Sequence, residues 1–427
     1  MTVRFGENNE VIDVMEYRAI LVGLEVNEDI SYSMTELAGL AEAANIEVCG
    51  ELIQRLERPN KATFIGKGKV EELREYVINM GVDTVIFNDE LSGMQLRNLE
   101  DAVGVRVIDR TILILDIFAS RATSKEGSLQ IELAMLSYRL PRLTGFGKAL
   151  SRQAGGIGTR GPGEKKLETD RRHIQKRMDD IKAELKKAAS VRATQRARRE
   201  KNTVPVVALV GYTNSGKSAL MNRMLGDMEK DDKAVFEKDM LFATLDTSHR
   251  SIELDNNHQF ILIDTVGFVS KLPHTLVEAF KSTLEEVRDA DLLLHVVDSS
   301  YEGYDFNMNV TNKVLKEIGA GDKDRLIVYN KKDIASEEPV NTEDYDSFWI
   351  SAKFGDGTDE LIEAIKGRIF SDRIRTTLVI PFSRGDIVSY LCDKANVISM
   401  DYAENGTVLD VELSSADYGR YSSYATL

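Results

Sequence analysis

The chain is predicted to be an α/β protein whose central sheet is mixed, mostly parallel and flanked by helices. An N-terminal α/β segment, a helical hairpin and a small C-terminal α+β unit accompany it. Three observations predict this. Apolar β-type runs alternate with helical patterns through residues 1–120, the signature of a parallel sheet with helices on its faces. A strand-like run, VPVVALV (204–210), leads at once into a glycine-rich segment and a helical pattern. Further short apolar runs, FILID, LLLHVVD and RLIVY, then follow at intervals, each short and continuous as buried strands are.

Taken in order, AILVGLEV (19–26), TVIFND (84–89) and VRVID (105–109) read as buried strands. SMTELAGLAEAANI (33–46) and KVEELREYVINMG (69–81) read as amphipathic helices. The pattern changes across 121–202. Leu129, Leu133, Leu136, Leu140 and Leu143 recur at alternating spacings of four and three. Leu167, Ile174, Ile181 and Ala188 recur at sevens, with Met178 and Leu185 between them. Both are coiled-coil seams. GGIGTRGPGE (155–164) separates them and is too rich in Gly and Pro for either helix, so an antiparallel hairpin with a glycine-rich tip is expected. Pro141 should kink or end its first helix. Residues 203–371 form a nucleotide-type α/β domain, and 372–427 read strand (376–382), helix (386–395) and two strands (396–402 and 406–413), with Asn405 and Gly406 at the hairpin.

At 427 residues the chain can hold about three domains of about 150 residues each. Two cysteines, Cys49 and Cys392, give neither a zinc spacing nor a disulfide framework. The first residues lack the apolar core of a secretory signal, and Ile112–Phe118 is too short to span a bilayer. A cytoplasmic protein with no membrane span is expected, and a monomer. Net charge is −15, yet residues 136–205 hold 19 Lys and Arg against 7 Asp and Glu. One basic element therefore sits on an acidic body. It suits a polyanion such as RNA, with Arg152, Arg160, Lys165 and Lys166 as candidate contacts; a plain solvated lysine-rich helix fits the same charges.

The chemistry lies in Gly211-Tyr212-Thr213-Asn214-Ser215-Gly216-Lys217-Ser218, followed by Ala219. The glycines let the backbone wrap phosphates, and the amides and helix N-terminus face the anion. Lys217 should reach the β- and γ-phosphates, and Ser218 should ligate Mg²⁺. Asp264-Thr265-Val266-Gly267 ends the FILID strand, where Asp264 would hold Mg²⁺ through water and the Gly267 amide would sense the γ-phosphate. Asn330-Lys331-Lys332-Asp333 follows RLIVY. Guanine offers paired N–H donors that one carboxylate can accept, so Asp333 specifies guanine. Ser351-Ala352-Lys353 would close over the base. In this order the motifs make a P-loop GTPase domain; an ATPase or metabolic kinase would not carry the last two. Within DMLFATLDTS (239–248), Phe242 and Ala243 flank the site and Thr244 is chosen as the switch residue that meets Mg²⁺, with Thr247 the runner-up.

Lys217, Thr244 and Gly267 are thus the catalytic candidates, and the set looks incomplete. Ras-like enzymes orient the attacking water with a glutamine just after this glycine; here Phe268 stands there and cannot hydrogen-bond water. Slow intrinsic turnover and a partner-supplied group are expected. Asn214 admits two readings, a K⁺ ligand beside the phosphates or a brace for the loop. Gly66-Lys67-Gly68-Lys69 opens a helix and admits a phosphate cradle, a plain turn or an RNA-backbone contact. His295 and Trp349 read as packing residues.

These residues resemble the HflX GTPases over nearly the whole chain. The resemblance rests on ATFIGKGKVEEL (62–73), ASRATSKEGSLQIELAMLSYRLPRL (119–143), GGIGTRGPGEKKLETDRR (155–172), FATLDTS (242–248) and DTVGFV (264–269). Family members often read FATLDPT, so the proline is missing here. The resemblance implies GTP hydrolysis stimulated by the large ribosomal subunit, splitting of stalled ribosomes, and a hairpin tip, here 144–164, directed at ribosomal RNA. It supports Thr244, and some members also bind or hydrolyse ATP. A ribosome-assembly or RNA-maturation GTPase remains an alternative reading, as does an RNA-binding scaffold with structural nucleotide.

Overall fold

The computed structural model describes residues 17–143, 162–201, 204–226, 248–254, 258–271 and 281–426, with side chains at 162–167, 191–201 and 281–283 excepted. The chain forms two compact units. The first holds residues 1–195, 238–246 and 268–283; the second holds the rest.

In the first unit, strands β1 (Tyr17–Glu25), β2 (Ile46–Arg55), β3 (Thr84–Phe87) and β4 (Arg106–Asp109) form a sheet of order β2-β1-β3-β4. Every pairing is parallel, so each connection is a crossover carrying a helix. These helices are α1 (Ser31–Ala43), α2 (Lys67–Met80) and α3 (Gly93–Val103), and α4 (Arg110–Arg121) follows β4. The three expected strands and two expected helices are present. Three elements not read from the sequence, β2, α3 and α4, join them. Helix α3 begins on a capping box, in which Ser92 and Gln95 each bond the other's backbone N–H, and stops at Gly104 in the left-handed region. Ile20, Val22, Val85, Phe87, Leu73 and Leu99 lie at the core.

Helices α5 (Lys125–Leu143) and α6 (Pro162–Lys201), the latter as far as residue 195, complete this unit. They run antiparallel: Lys125 pairs with Glu184 at 3.3 Å, and Arg177 grips Glu132 with two bonds of 2.7 Å. On α6, Met178 and Ile181 are buried, with Ile174, Leu185 and Ala188 half-buried, along the expected seam. On α5 the expected leucine stripe is half-buried, and a second stripe, Gly127, Ile131, Ala134 and Tyr138, is buried. The Tyr138 hydroxyl donates to the buried Asp109 carboxylate, whose pKa burial raises. Helix α5 passes through Pro141 and does not end there. Pro162, Gly163 and Glu164 lie inside α6 rather than in the tip loop, since proline suits the first helical position, where its missing N–H has no partner to lose. The rest of 144–164 lies outside the described residues.

The second unit contains β5 (Val206–Val210), α7 (Lys217–Gly226), β6 (Ser248–Glu253), β7 (Gln259–Asp264), β8 (Leu292–Asp298), α9 (Tyr304–Glu317), β9 (Arg325–Asn330), β10 (Ser347–Trp349) and α10 (Thr358–Ile369). Helix α8 (Lys281–Asp289) enters it from residue 284. Sheet order is β10-β9-β8-β5-β7-β6. Only the β6–β7 pairing is antiparallel, so the sheet is mixed and mostly parallel, as expected. The C-terminal part pairs β11 (Ile374–Ile380), β13 (Gly406–Leu413) and β12 (Asn396–Ala403) antiparallel in that order, with α11 (Gly385–Lys394) and α12 (Ser415–Tyr421) beside them. The hairpin turn is Glu404-Asn405, one residue earlier than expected. Gly406 already pairs with Ala403, and a Cβ there would lie 2.2 Å from the Ile380 carbonyl oxygen. No helix among the described residues is long and apolar enough to cross a membrane.

Candidate nucleotide site

The loop between β5 and α7 is made by its backbone. Gly211 has φ +147°, and a Cβ would meet the Val296 carbonyl oxygen at 2.1 Å. Gly216 has φ +91°, with the Asn330 amide nitrogen 2.1 Å from where its Cβ would be. Neither position admits a side chain. Asn214 is exposed and left-handed, φ +59°, a conformation asparagine tolerates better than most residues. That is a conformational reason for Asn214 independent of any ion.

Lys217 is buried, and its ammonium donates to the carbonyls of Gly211 (3.2 Å) and Tyr212 (2.8 Å). Burial pushes its pKa down to about 8, partly offset by Asp264. A phosphate beside it would favour the charged form. The hydroxyls of Thr213 and Ser215 are buried with no hydrogen-bond partner among the described residues; such groups are costly unless something satisfies them, and anionic oxygens would. The Ser218 hydroxyl donates to Asp264 Oδ2 at 2.7 Å. One carboxylate and one hydroxyl at the loop's end are hard oxygen donors. That set fits Mg²⁺, which keeps several waters and takes few protein ligands.

Asp264 ends β7 and is fully buried. The next residue, Thr265, donates to the Leu209 carbonyl at 2.6 Å, which ties β7's end to β5, and Val266 is buried. Gly267 packs on the loop: a Cβ would lie 2.8 Å from Thr213 Cα and 3.0 Å from the Lys217 ammonium.

Asn330 holds three segments together. Its side-chain amide donates to the Ser215 carbonyl at 2.9 Å, and its amide oxygen accepts from Ala352 N–H at 2.9 Å. Its backbone carbonyl accepts from Ser299 N–H and hydroxyl. Ser351 donates to Asp333 Oδ1 at 2.7 Å. The Lys331 ammonium pairs with Asp298 at 2.7 Å, and Lys353 lies over the Phe354 ring. The structure thus gathers the glycine loop, Asp264–Gly267, Asn330–Asp333 and Ser351–Lys353, with Ala219 half-buried against the core. Three supporting residues escaped the sequence reading. Arg223 bonds the carbonyls of Ala352 and Lys353 and fixes that loop from α7. Asp298 and Ser299 sit at the end of β8, where only the strand-end position could have flagged them.

Residues 31–119 match the family model described as GTP-binding GTPase N-terminal, 121–199 match the GTP-binding GTPase Middle Region, and 206–331 match the 50S ribosome-binding GTPase. A protein named GTPase HflX from Caldanaerobacter subterraneus subsp. tengcongensis is 49% identical over 398 residues, 93% of this chain and 91% of that one. GTPase HflX of Escherichia coli K12 is 39% identical over 410 residues, 94% and 95% of the two chains. The chain belongs to the HflX family of GTPases. A solved GTP-binding protein from Sulfolobus solfataricus in complex with GDP is 25% identical, covers 83% of this chain and 99% of its own, and superposes with a TM-score of 0.44.

Several HflX-type expectations lie elsewhere. Phe242, Ala243, Thr244 and Thr247 fall outside the described residues, as do Arg152 and Arg160. Lys165 and Lys166 lie on the first turns of α6, with their side chains undescribed. Phe268 is buried. At Gly66–Lys69 the geometry is that of a helix start: Gly66 N–H donates to Gln54 at 2.8 Å, and Lys69 pairs with Glu72 at 2.9 Å. His295 is a buried strand residue whose pKa burial pushes down to about 3, so it is a neutral core histidine. Trp349 is half-buried, and its indole N–H donates to the Ser299 hydroxyl at 3.2 Å.

Proposed function

We propose that this HflX-family GTPase works on the large ribosomal subunit and that its GTP cycle dissociates or rescues stalled ribosomes in the cytoplasm. The observation that carries the nucleotide reading is the Asn330 bridge, which sets the glycine loop and the Asp333–Ser351 pair around one site. Backbone amides of 211–216 and the start of α7 would bind phosphates. Lys217 would carry charge to the γ-phosphate, Gly267 N–H would sense it, and the Asp333 carboxylate would accept the guanine N–H donors. Ser218, Asp264 through water, and Thr244 would hold Mg²⁺, which neutralises charge building on the phosphates. Phe268 leaves water positioning to a partner. Asn214 as a K⁺ ligand is a separate question, which turnover in KCl against NaCl decides.

The ribosomal part of the proposal rests on the description of the matching G-domain family, the naming of the relatives and the basic segment 136–205. We assign RNA contacts to Arg152, Arg160, Lys165 and Lys166, and divide the chain at 1–120, 121–202, 203–371 and 372–427. The test is phosphate release from GTP with and without purified large subunits, for wild type and a variant with a shortened 155–164 loop. Stimulation of wild type and its reduction in the variant are expected; equal rates with and without subunits overturn the ribosomal reading. Splitting of whole ribosomes, against action on precursor subunits alone, separates rescue from assembly.

A further inference from the structure

Directly after Gly267, the chain belongs to the other unit. The described residues 268–271 are part of the N-terminal unit by their contacts. Phe268, Val269 and Ser270 are buried there. The Ser270 hydroxyl donates to Glu36 at 2.5 Å and accepts from the Arg110 guanidinium at 3.1 Å. Arg110 is fully buried, pairs with the equally buried Glu36, and donates to Asn88 at 3.0 Å and to the Ser33 carbonyl at 3.3 Å. Ser33 and Asn88 are also hydrogen-bonded to each other. The Lys271 ammonium pairs with Asp89, and Lys271 holds a left-handed backbone, φ +54°, a strained conformation kept only where surroundings impose it.

The location of this cluster is informative. In the order β2-β1-β3-β4 the connections diverge between β1 and β3. Open parallel sheets bind ligands at such a point, beyond the carboxyl ends of the strands. Asn88 directly follows β3 and Arg110 directly follows β4. The crevice that would receive a ligand in a sheet of this kind therefore receives Ser270.

The tether is short. Residues 267 to 270 span at most about 10 Å. A γ-phosphoryl group must stand between the Lys217 ammonium and the Gly267 amide, with oxygens about 2.9 Å from each donor. Gly267 now packs directly on Thr213 and that ammonium, too close even for a Cβ. It must recede to admit the group, while Ser270 is held three residues on.

We propose that the Glu36–Asn88–Arg110 crevice is a binding site for the chain's own Ser270–Lys271 segment, and that its occupancy favours GDP over GTP. A ligand or partner that binds GTP-state protein must displace this segment or pull it out, and the coupling is reciprocal. The inference rests on the GTP-site reading above, and GDP binding by wild type tests that reading by itself.

The experiment measures affinities of the full-length protein for GDP and for a non-hydrolysable GTP analogue. Ser270→Ala removes a hydroxyl bonded to a charged pair, and about a 5- to 30-fold gain in the analogue-to-GDP affinity ratio is expected from the usual worth of such bonds. GDP affinity itself should hold within about twofold. Lys271→Ala, at a half-exposed ion pair, should move the ratio the same way by about two- to fivefold. The charge swap Lys271→Asp with Asp89→Lys should restore the wild-type ratio. An unchanged ratio in a Ser270→Ala protein that still binds GDP overturns the proposal, as does a shift toward GDP. Failure of wild type to bind GDP would instead overturn the site reading.

Discussion

The all-parallel sheet and the mixed sheet of this protein finish the carboxyl edges of their parallel strands in opposite ways. Beyond β5 the edge is made of backbone: two glycines that exclude any Cβ, hydroxyls of Thr213 and Ser215 without partners among the described residues, and one buried lysine resting on carbonyls. Beyond β3 and β4 the edge is made of side chains that bond one another, Glu36, Asn88, Arg110 and Ser270, with the Arg110 Nε the one atom of that guanidinium lacking a partner among the described residues. The same topology creates both crevices. What differs is whether the polar groups are left facing inward for an anion or are paired within the chain. A sheet edge becomes a ligand site when its donors lack internal partners, and a clasp when they have them.

That contrast can be broken most severely at Arg110. Arg110→Met strands the buried Glu36 carboxylate, and a loss of about 3–5 kcal/mol in urea unfolding is expected for removing one partner of a buried pair. A loss below about 1 kcal/mol would mean the pair is not buried as described. Lys217→Ala attacks the other edge. Turnover should fall about 10²–10³-fold by phosphate release, with thermal stability little changed, because the lysine's partner is meant to be an anion. Asp333→Asn should cost about 10- to 100-fold in GTP affinity, since an amide presents a donor where guanine also donates. The same variant should improve binding of xanthine nucleotides, whose C2 oxygen accepts, and equal GTP affinity would remove Asp333 from base recognition.

The smallest effect is a pH dependence. Beneath the glycine loop, His295 is buried, and its pKa is pushed down to about 3 by burial first, then by Arg325 and Lys217. The unfolded histidine titrates near 6.5. The folded value is depressed, so the unfolded state binds the proton first as pH falls. Stability is fully present above about 6.5 and declines toward 3. Between pH 7 and 5 the loss assigned to His295 is about 1–2 kcal/mol. A His295→Gln protein should lose correspondingly less over that interval, and identical slopes would show that other groups govern it.

Much of this was legible because it is local. The strands around β5, β8 and β9 are short continuous apolar runs, and the nucleotide motifs sit at strand ends where a parallel sheet places them. Strand β2, IEVCGELIQR, was missed because it is an edge strand with Glu47, Glu51 and Gln54 breaking the apolar pattern. Helix α3 left a signal that went unread, the Ser92–Gln95 box. On α5 the leucines drew the reading, while Tyr138 is buried with its hydroxyl on Asp109, a partner 29 residues away that no local pattern announces. Nothing in the sequence could announce the Arg110 cluster, since its partners lie 74 and 160 residues away.

One consequence concerns how the protein can be cut. The family boundaries suggest that a fragment starting at β5 would be a free-standing GTPase. Yet the residues directly after Gly267 cluster with the N-terminal unit, and Phe268 and Val269 are buried. Such a fragment would carry two apolar side chains, directly after Gly267, without the unit they cluster with. A change in its activity would then report the loss of that shelter as much as the loss of a domain, and aggregation would be an expected companion of any gain in rate.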